Sequence, residues 1–117
     1  MHVRDLQRSA DFYEKTLGLE RIPEPFHDGK HLWYRMGEHE QLHVVSGATA
    51  ATTKEIDVHF AFRVASMAEF TSHMDAMKVK YRSFDGKDKV TLRPDGVHQT
   101  YFQDPDGYWI EVNDEKF

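Results

Sequence analysis

The chain has 117 residues, 30% of them charged and 13% aromatic, with a formal net charge of −5, eight histidines and no cysteine. That is the length of one domain able to bury a real core, and the low-complexity tracts that mark disorder are absent. An acidic balance without a basic stripe argues against a nucleic-acid partner, no apolar run approaches the ~18 residues of a membrane span, no signal peptide is visible, and the lack of cysteine excludes disulfides, thiolate metal ligands and a cysteine nucleophile; together these fit a cytoplasmic protein with no membrane partner.

In chain order, residues 1–4 read as the end of a strand. Asp5 can cap a helix whose apolar positions are Leu6, Ala10, Tyr13 and Leu17, with Gly18 as its stop. Strands are expected over residues 20–22, 31–36 and 41–45, with a Pro-bounded loop between the first two. The stretch 46–54, SGATAATTK, is small and polar and reads as a linker. A second set follows: a strand over 59–64, then a helix opened by a capping box of Ser66 with Glu69 and carrying Met67, Phe70, Met74 and Met77 on its apolar face. Short strands are expected near 80–84 and 89–92. The chain ends in a hairpin, QTYFQDPDGYWIEV over 99–112, in which Asp104 opens the turn, Pro105 presets φ and Gly107 closes it. In its second arm, alternation puts Glu111 on the face of Trp109, and a carboxylate in an apolar strand needs a cation or a metal if it is buried.

The order is thus (β)αβββ, linker, βαβββ, a repeated unit. We expect one α+β domain built of module one over 1–46, a linker over 47–56 and module two over 57–117. Residues 2–5 superpose on 63–66, and Leu42-His43-Val44 then falls on Ile110-Glu111-Val112. The repeat predicts four related positions. His59, His43 and Glu111 occupy three, and the fourth lies ahead of Met1. Imidazoles and a carboxylate suit Zn, Ni, Co, Mn or Fe, and open positions on such a set leave room for water or substrate.

Three stretches carry a family resemblance: Val3-Arg4-Asp5-Leu6 with Ser9 and Phe12-Tyr13 before Leu17-Gly18; His59-Phe60-Ala61-Phe62; and 101–111, YFQDPDGYWIE. Through them the chain resembles the vicinal oxygen chelate superfamily, which includes glyoxalase I, methylmalonyl-CoA epimerase, extradiol dioxygenases, fosfomycin-resistance enzymes and bleomycin-binding proteins. The resemblance covers nearly the whole chain. It implies two βαβββ modules forming an incomplete barrel around a divalent metal, with ligands at His59, Glu111 and His43. It also implies a small-molecule substrate and a homodimer. The chain departs from the family twice: the usual ligand on the opening strand is missing, and His43 stands where glyoxalase I usually carries glutamate. His2 cannot replace the missing ligand, because it lies four residues, about 13 Å, too far along.

The resemblance implies glyoxalase-like lyase or isomerase chemistry through an enediolate, with Glu111 as the proton-shuttling carboxylate. Gln41 shares the His43 face, Arg63 shares the His59 face and could hold an anionic substrate group, and Tyr101 and Trp109 are further pocket candidates. His27, His31, His39 and His73 are expected in solvent, and His98 starts a strand near the presumed cup. The alternatives are a fosfomycin-type transferase, for which Lys87, Lys89, Arg93 and Thr100 are the basic and hydroxyl candidates, and a metal-free bleomycin-type binding protein.

Overall fold

The structure is a computed structural model that describes residues 1–49 and 54–116; positions 50–53 of the expected linker lie outside it. The fold is α+β, and the chain divides into two compact units, Met1–Thr53 and Lys54–Phe117.

In the first unit, β1 (His2–Val3) leads into α1 (Leu6–Asp11), then β2 (Glu20–Ile22), β3 (His31–Arg35) and β4 (Gln41–Ser46). The sheet order is β1-β4-β3-β2, with β1 parallel to β4 and the other pairs antiparallel. Asp5 caps α1 as expected, its carboxylate accepting from Arg8 N at 3.1 Å. The helix is not regular to Gly18, however. From Phe12 to Thr16 it widens into a π turn, in which Leu17 N reaches back to Phe12 O at 3.2 Å. Helical spacing therefore places Ala10 and Tyr13 in the core but leaves Leu6 and Leu17 half-buried. Tyr34, Leu42 and Val44 supply the sheet's side of that core.

The second unit repeats the plan with β5 (His59–Arg63), α2 (Met67–Ala76), β6 (Thr91–Leu92), β7 (His98–Gln103) and β8 (Trp109–Asn113), in the order β5-β8-β7-β6, with β5 parallel to β8. Ser66 caps α2, its hydroxyl accepting from Glu69 N at 3.2 Å. Met67 and Met74 are buried and Phe70 packs against Phe102 with ring centroids 5.8 Å apart, but Met77 lies past the helix end and is 39% exposed.

The internal repeat is written in the strand registers. His2 opposes Val45 as Arg63 opposes Asn113, which makes His43 the equivalent of Glu111 and Val44 that of Val112; both valines are fully buried. Likewise Trp33 opposes His43 as Tyr101 opposes Glu111.

The expected strand over 80–84 reduces to an isolated bridge between Arg82 and Tyr101, and that over 89–92 to the two residues of β6. The segment between them satisfies its own backbone. Ser83 N donates to Asp88 O at 2.7 Å, Lys87 N to the Asp85 carboxylate at 3.0 Å, and Gly86 sits at φ +75°. Side chains of Asp and Ser compete here with ladder bonds, and competition of that kind leaves little mark on a hydrophobic pattern.

A candidate metal and substrate site

Alternation along β5 and β8 sorts the second unit's residues into two faces. Ile110 and Val112 point into the core, while His59, Ala61 and Arg63 on β5 and Trp109, Glu111 and Asn113 on β8 share the other face. The hairpin that carries Glu111 is set by its turn. Asp104 is 5% exposed and its Oδ1 accepts from Asp106 N at 2.9 Å and Tyr108 N at 2.8 Å; Gly107 N closes on Asp104 O at 3.0 Å with φ +88° at the glycine. That geometry fixes the register and so places Tyr101 directly opposite Glu111.

His59 and Glu111 are brought together. His59 Nε2 lies 3.7 Å from Glu111 Oε1, with side chains 23% and 15% exposed. His59 Nδ1 lies 2.7 Å from the Ile56 carbonyl oxygen. A carbonyl only accepts, so Nδ1 carries a proton and Nε2 is the nitrogen turned toward Glu111. The Glu111 carboxylate is held from both sides: Tyr101 donates its hydroxyl to Oε1 at 2.6 Å, and Asn113 Nδ2 donates to Oε2 at 2.8 Å. Tyr101 also packs edge-on against the His59 ring, with centroids 5.1 Å apart. Burial, reinforced by the hydrogen bond to the anionic Glu111, pushes the Tyr101 phenol well above its ordinary value, so it remains a donor at neutral pH.

This pair fits a divalent ion. Its donors are an imidazole lone pair and a carboxylate oxygen, and 3.7 Å is less than twice a metal–ligand bond of about 2.1 Å, so one ion can touch both. The carbonyl behind His59 and the two donors behind Glu111 are the kind of outer support that metal ligands need. Among the described residues no group of three or more His, Asp or Glu side chains is gathered as a metal site.

His43 and Gln41 belong to the first unit. His43 stacks flat on Trp33, with centroids 3.9 Å apart and planes 3° from parallel, and its Nε2 lies 3.0 Å from Gln41 Oε1. A metal bond from that nitrogen requires Gln41 to let go. Arg63 Nε donates to the Glu115 carbonyl oxygen. Trp109 Nε1 donates to Lys54 O at 3.1 Å. Tyr101 and Trp109 line a cavity of about 420 Å³ in the second unit, with Lys80, Arg82 and Gln103.

Other histidines sort unevenly. His27, His39 and His73 are exposed, but His31 opens β3 with its side chain 21% exposed, paired to Asp28 at 2.9 Å and stacked on Phe26. His98 pairs with Asp114 at 2.8 Å. Asn113 and Arg82 were not among the sequence candidates. Asn113 could have been found from parity, two residues beyond Glu111 on one strand. Arg82 gave no such signal, because it lies in a stretch without periodic pattern.

The family model of the glyoxalase/bleomycin resistance protein/dioxygenase superfamily matches residues 1–112. The chain belongs to that superfamily. It is 28% identical over 116 residues to the uncharacterized protein YwbC of Bacillus subtilis (strain 168), covering 93% of this chain and 88% of that one. Solved structures share the fold: the fosfomycin resistance protein FosX of Listeria monocytogenes (19% identical, 100% of this chain and 89% of that one, TM-score 0.75), the oxidase ChaP-H2 (21%, 100% and 90%, 0.78) and a lactoylglutathione lyase of Agrobacterium tumefaciens (19%, 97% and 88%, 0.70). One FosX structure is a complex with Mn(II) and dihydroxypropylphosphonic acid. The glyoxalase fold thus carries several chemistries, and the choice among them falls to the site.

Proposed function

We propose that this member of the superfamily is a divalent-metal-dependent lyase or isomerase of glyoxalase type, moving a proton on a small oxygen-chelating substrate. The observation that supports this reading is the 3.7 Å pairing of His59 Nε2 with a Glu111 carboxylate held by Tyr101 and Asn113. His59 and Glu111 would hold the ion, and the ion would supply Lewis-acid stabilisation of oxyanion charge. Glu111 takes the proton from the carbon beside the substrate carbonyl and returns it to the neighbouring atom. Tyr101 and Asn113 aim the carboxylate during that transfer. The Ile56 carbonyl keeps His59 in one tautomer and orientation.

The test is deuterium exchange into α-hydroxy ketones and hemithioacetals in D₂O, followed by proton NMR with Glu111→Gln beside the native protein. Loss of a general base costs about 10²–10⁴-fold in rate. Exchange that survives unchanged in Glu111→Gln contradicts the assignment.

The fosfomycin-type reading finds less support. Thr100 is fully buried with its hydroxyl donating to Lys89 O and Arg82 O, and Arg93 is held by Asp95 and Glu115. Protection against fosfomycin on expression would revive it. Drug binding by metal-stripped protein would favour the bleomycin-type alternative.

A further inference from the structure

One row of residues crosses the second sheet: Ala61 opposes Glu111, Glu111 opposes Tyr101, and Tyr101 opposes Arg82 through the isolated bridge. Residues directly opposite one another share a face, so the row puts Arg82 on the face of Tyr101 and Glu111. Its backbone lies two strand spacings, about 10 Å, from that of Glu111.

The guanidinium carbon lies 4.8 Å from the centroid of the Trp109 ring, within cation–π range. One Nη1–H reaches the Phe84 carbonyl at 3.4 Å, a long bond. Among the described residues Arg82 has no carboxylate partner, although the side chain is half-buried. Arg93 makes the contrast, with Asp95 at 2.6 Å and Glu115 at 3.7 Å. A half-buried guanidinium with no carboxylate beside it among the described residues is placed to meet an anion from outside. The following loop makes room for it: a Cβ on Gly86 would stand 2.6 Å from Arg82 Nη1. Arg82 lines the cavity of about 420 Å³ with Tyr101, Trp109, Gln103 and Lys80, so a second cation borders the same space.

We propose that Arg82 binds the anionic end, a carboxylate or phosphonate, of the substrate whose reacting end lies at Glu111. The planar fork suits either group bidentately, and Trp109 holds the fork in place. Arg82 is then a specificity residue that selects acidic small molecules, and Arg63, whose Nε is committed to the Glu115 carbonyl, is not needed for that task. This inference rests on the proposed role of Glu111 for the reacting end only.

The experiment uses Trp33→Phe protein, in which Trp109 is the one remaining indole, stripped of metal with EDTA. Its indole N–H resonance is followed by NMR during titration with acetate, with methylphosphonate and, as a cationic control, with methylammonium. The expected result is a saturable shift with at least one anion and none with methylammonium. The anion that binds tighter identifies the substrate class. Arg82→Gln should weaken that binding by about tenfold or more, and Arg82→Lys should recover part of it, keeping the charge without the fork. Equal affinity in Arg82→Gln, or no saturable shift with either anion, overturns the proposal. His59→Ala separates the two claims: anion binding at Arg82 should persist there. Metal content is read separately on untreated protein: its loss in His59→Ala bears on His59 and Glu111, whereas loss of anion binding in stripped Arg82→Gln, with that content unchanged from the native protein before stripping, bears on Arg82.

Discussion

A carboxylate on a strand is ambiguous until its neighbours are known, and Glu111 shows how far single residues could be read. Parity put Glu111 beside Trp109, and the repeat aligned it with His43; both statements follow from counting along the chain. What counting does not deliver is the partner set. Tyr101 OH and the Ile56 carbonyl behind His59 come from strand pairing and from a loop, contacts that residue spacing along one strand does not encode. Tyr34 gives a prediction at this scale. Its side chain is fully buried and its hydroxyl donates to Glu14 at 3.1 Å, and burial first, then that bond, pushes its pKa up to about 12. The unfolded chain releases this proton near pH 10 while the folded chain keeps it. The folded state therefore binds more protons between pH 10 and about 12, and stability falls as pH rises through that window. Tyr101 adds to the fall in the same direction. Urea unfolding at a series of alkaline pH values should show a shallower decline in Tyr34→Phe than in the native chain; parallel declines would contradict the assignment.

Elements were legible where burial is one-sided. Strand alternation located β3, β4, β5 and β8 to within a residue at their ends, because each has a core face and an open face. The caps at Asp5 and Ser66 were legible because they depend on local chemistry alone. The π turn at Phe12–Thr16 was not, since a one-residue change of pitch barely disturbs helical spacing. The 80–92 stretch was misread because local Asp and Ser bonds, not sheet pairing, organise it. The hairpin turn carries the element-scale prediction. Asp104→Ala leaves two backbone N–H groups without their acceptor in a nearly buried place, and should cost about 2–3 kcal/mol. Chemical denaturation measures it. A loss under about 0.5 kcal/mol, the range of ordinary surface substitutions, would show that the turn is held by something else.

The repeat is the whole-molecule feature that was most legible, because a 3.6-period helix between 2-period strands recurs with the same cap chemistry at corresponding places. Each unit ends as an open four-stranded sheet, and in the second unit β5, five residues long, lies at the sheet edge. Open edges are a liability that a second copy can relieve. We therefore expect a homodimer, seen as twice the chain mass by light scattering at micromolar concentration; a monomer mass there would contradict it. Among the described residues no helix is long and apolar enough to cross a membrane. The central claim is the ion at His59 and Glu111, and elemental analysis of untagged protein tests it most directly. The account predicts about one divalent ion per chain, retained through gel filtration and lost in a folded His59→Ala variant. No bound metal after reconstitution with zinc, nickel, cobalt, manganese or iron, or full retention in His59→Ala, would contradict it.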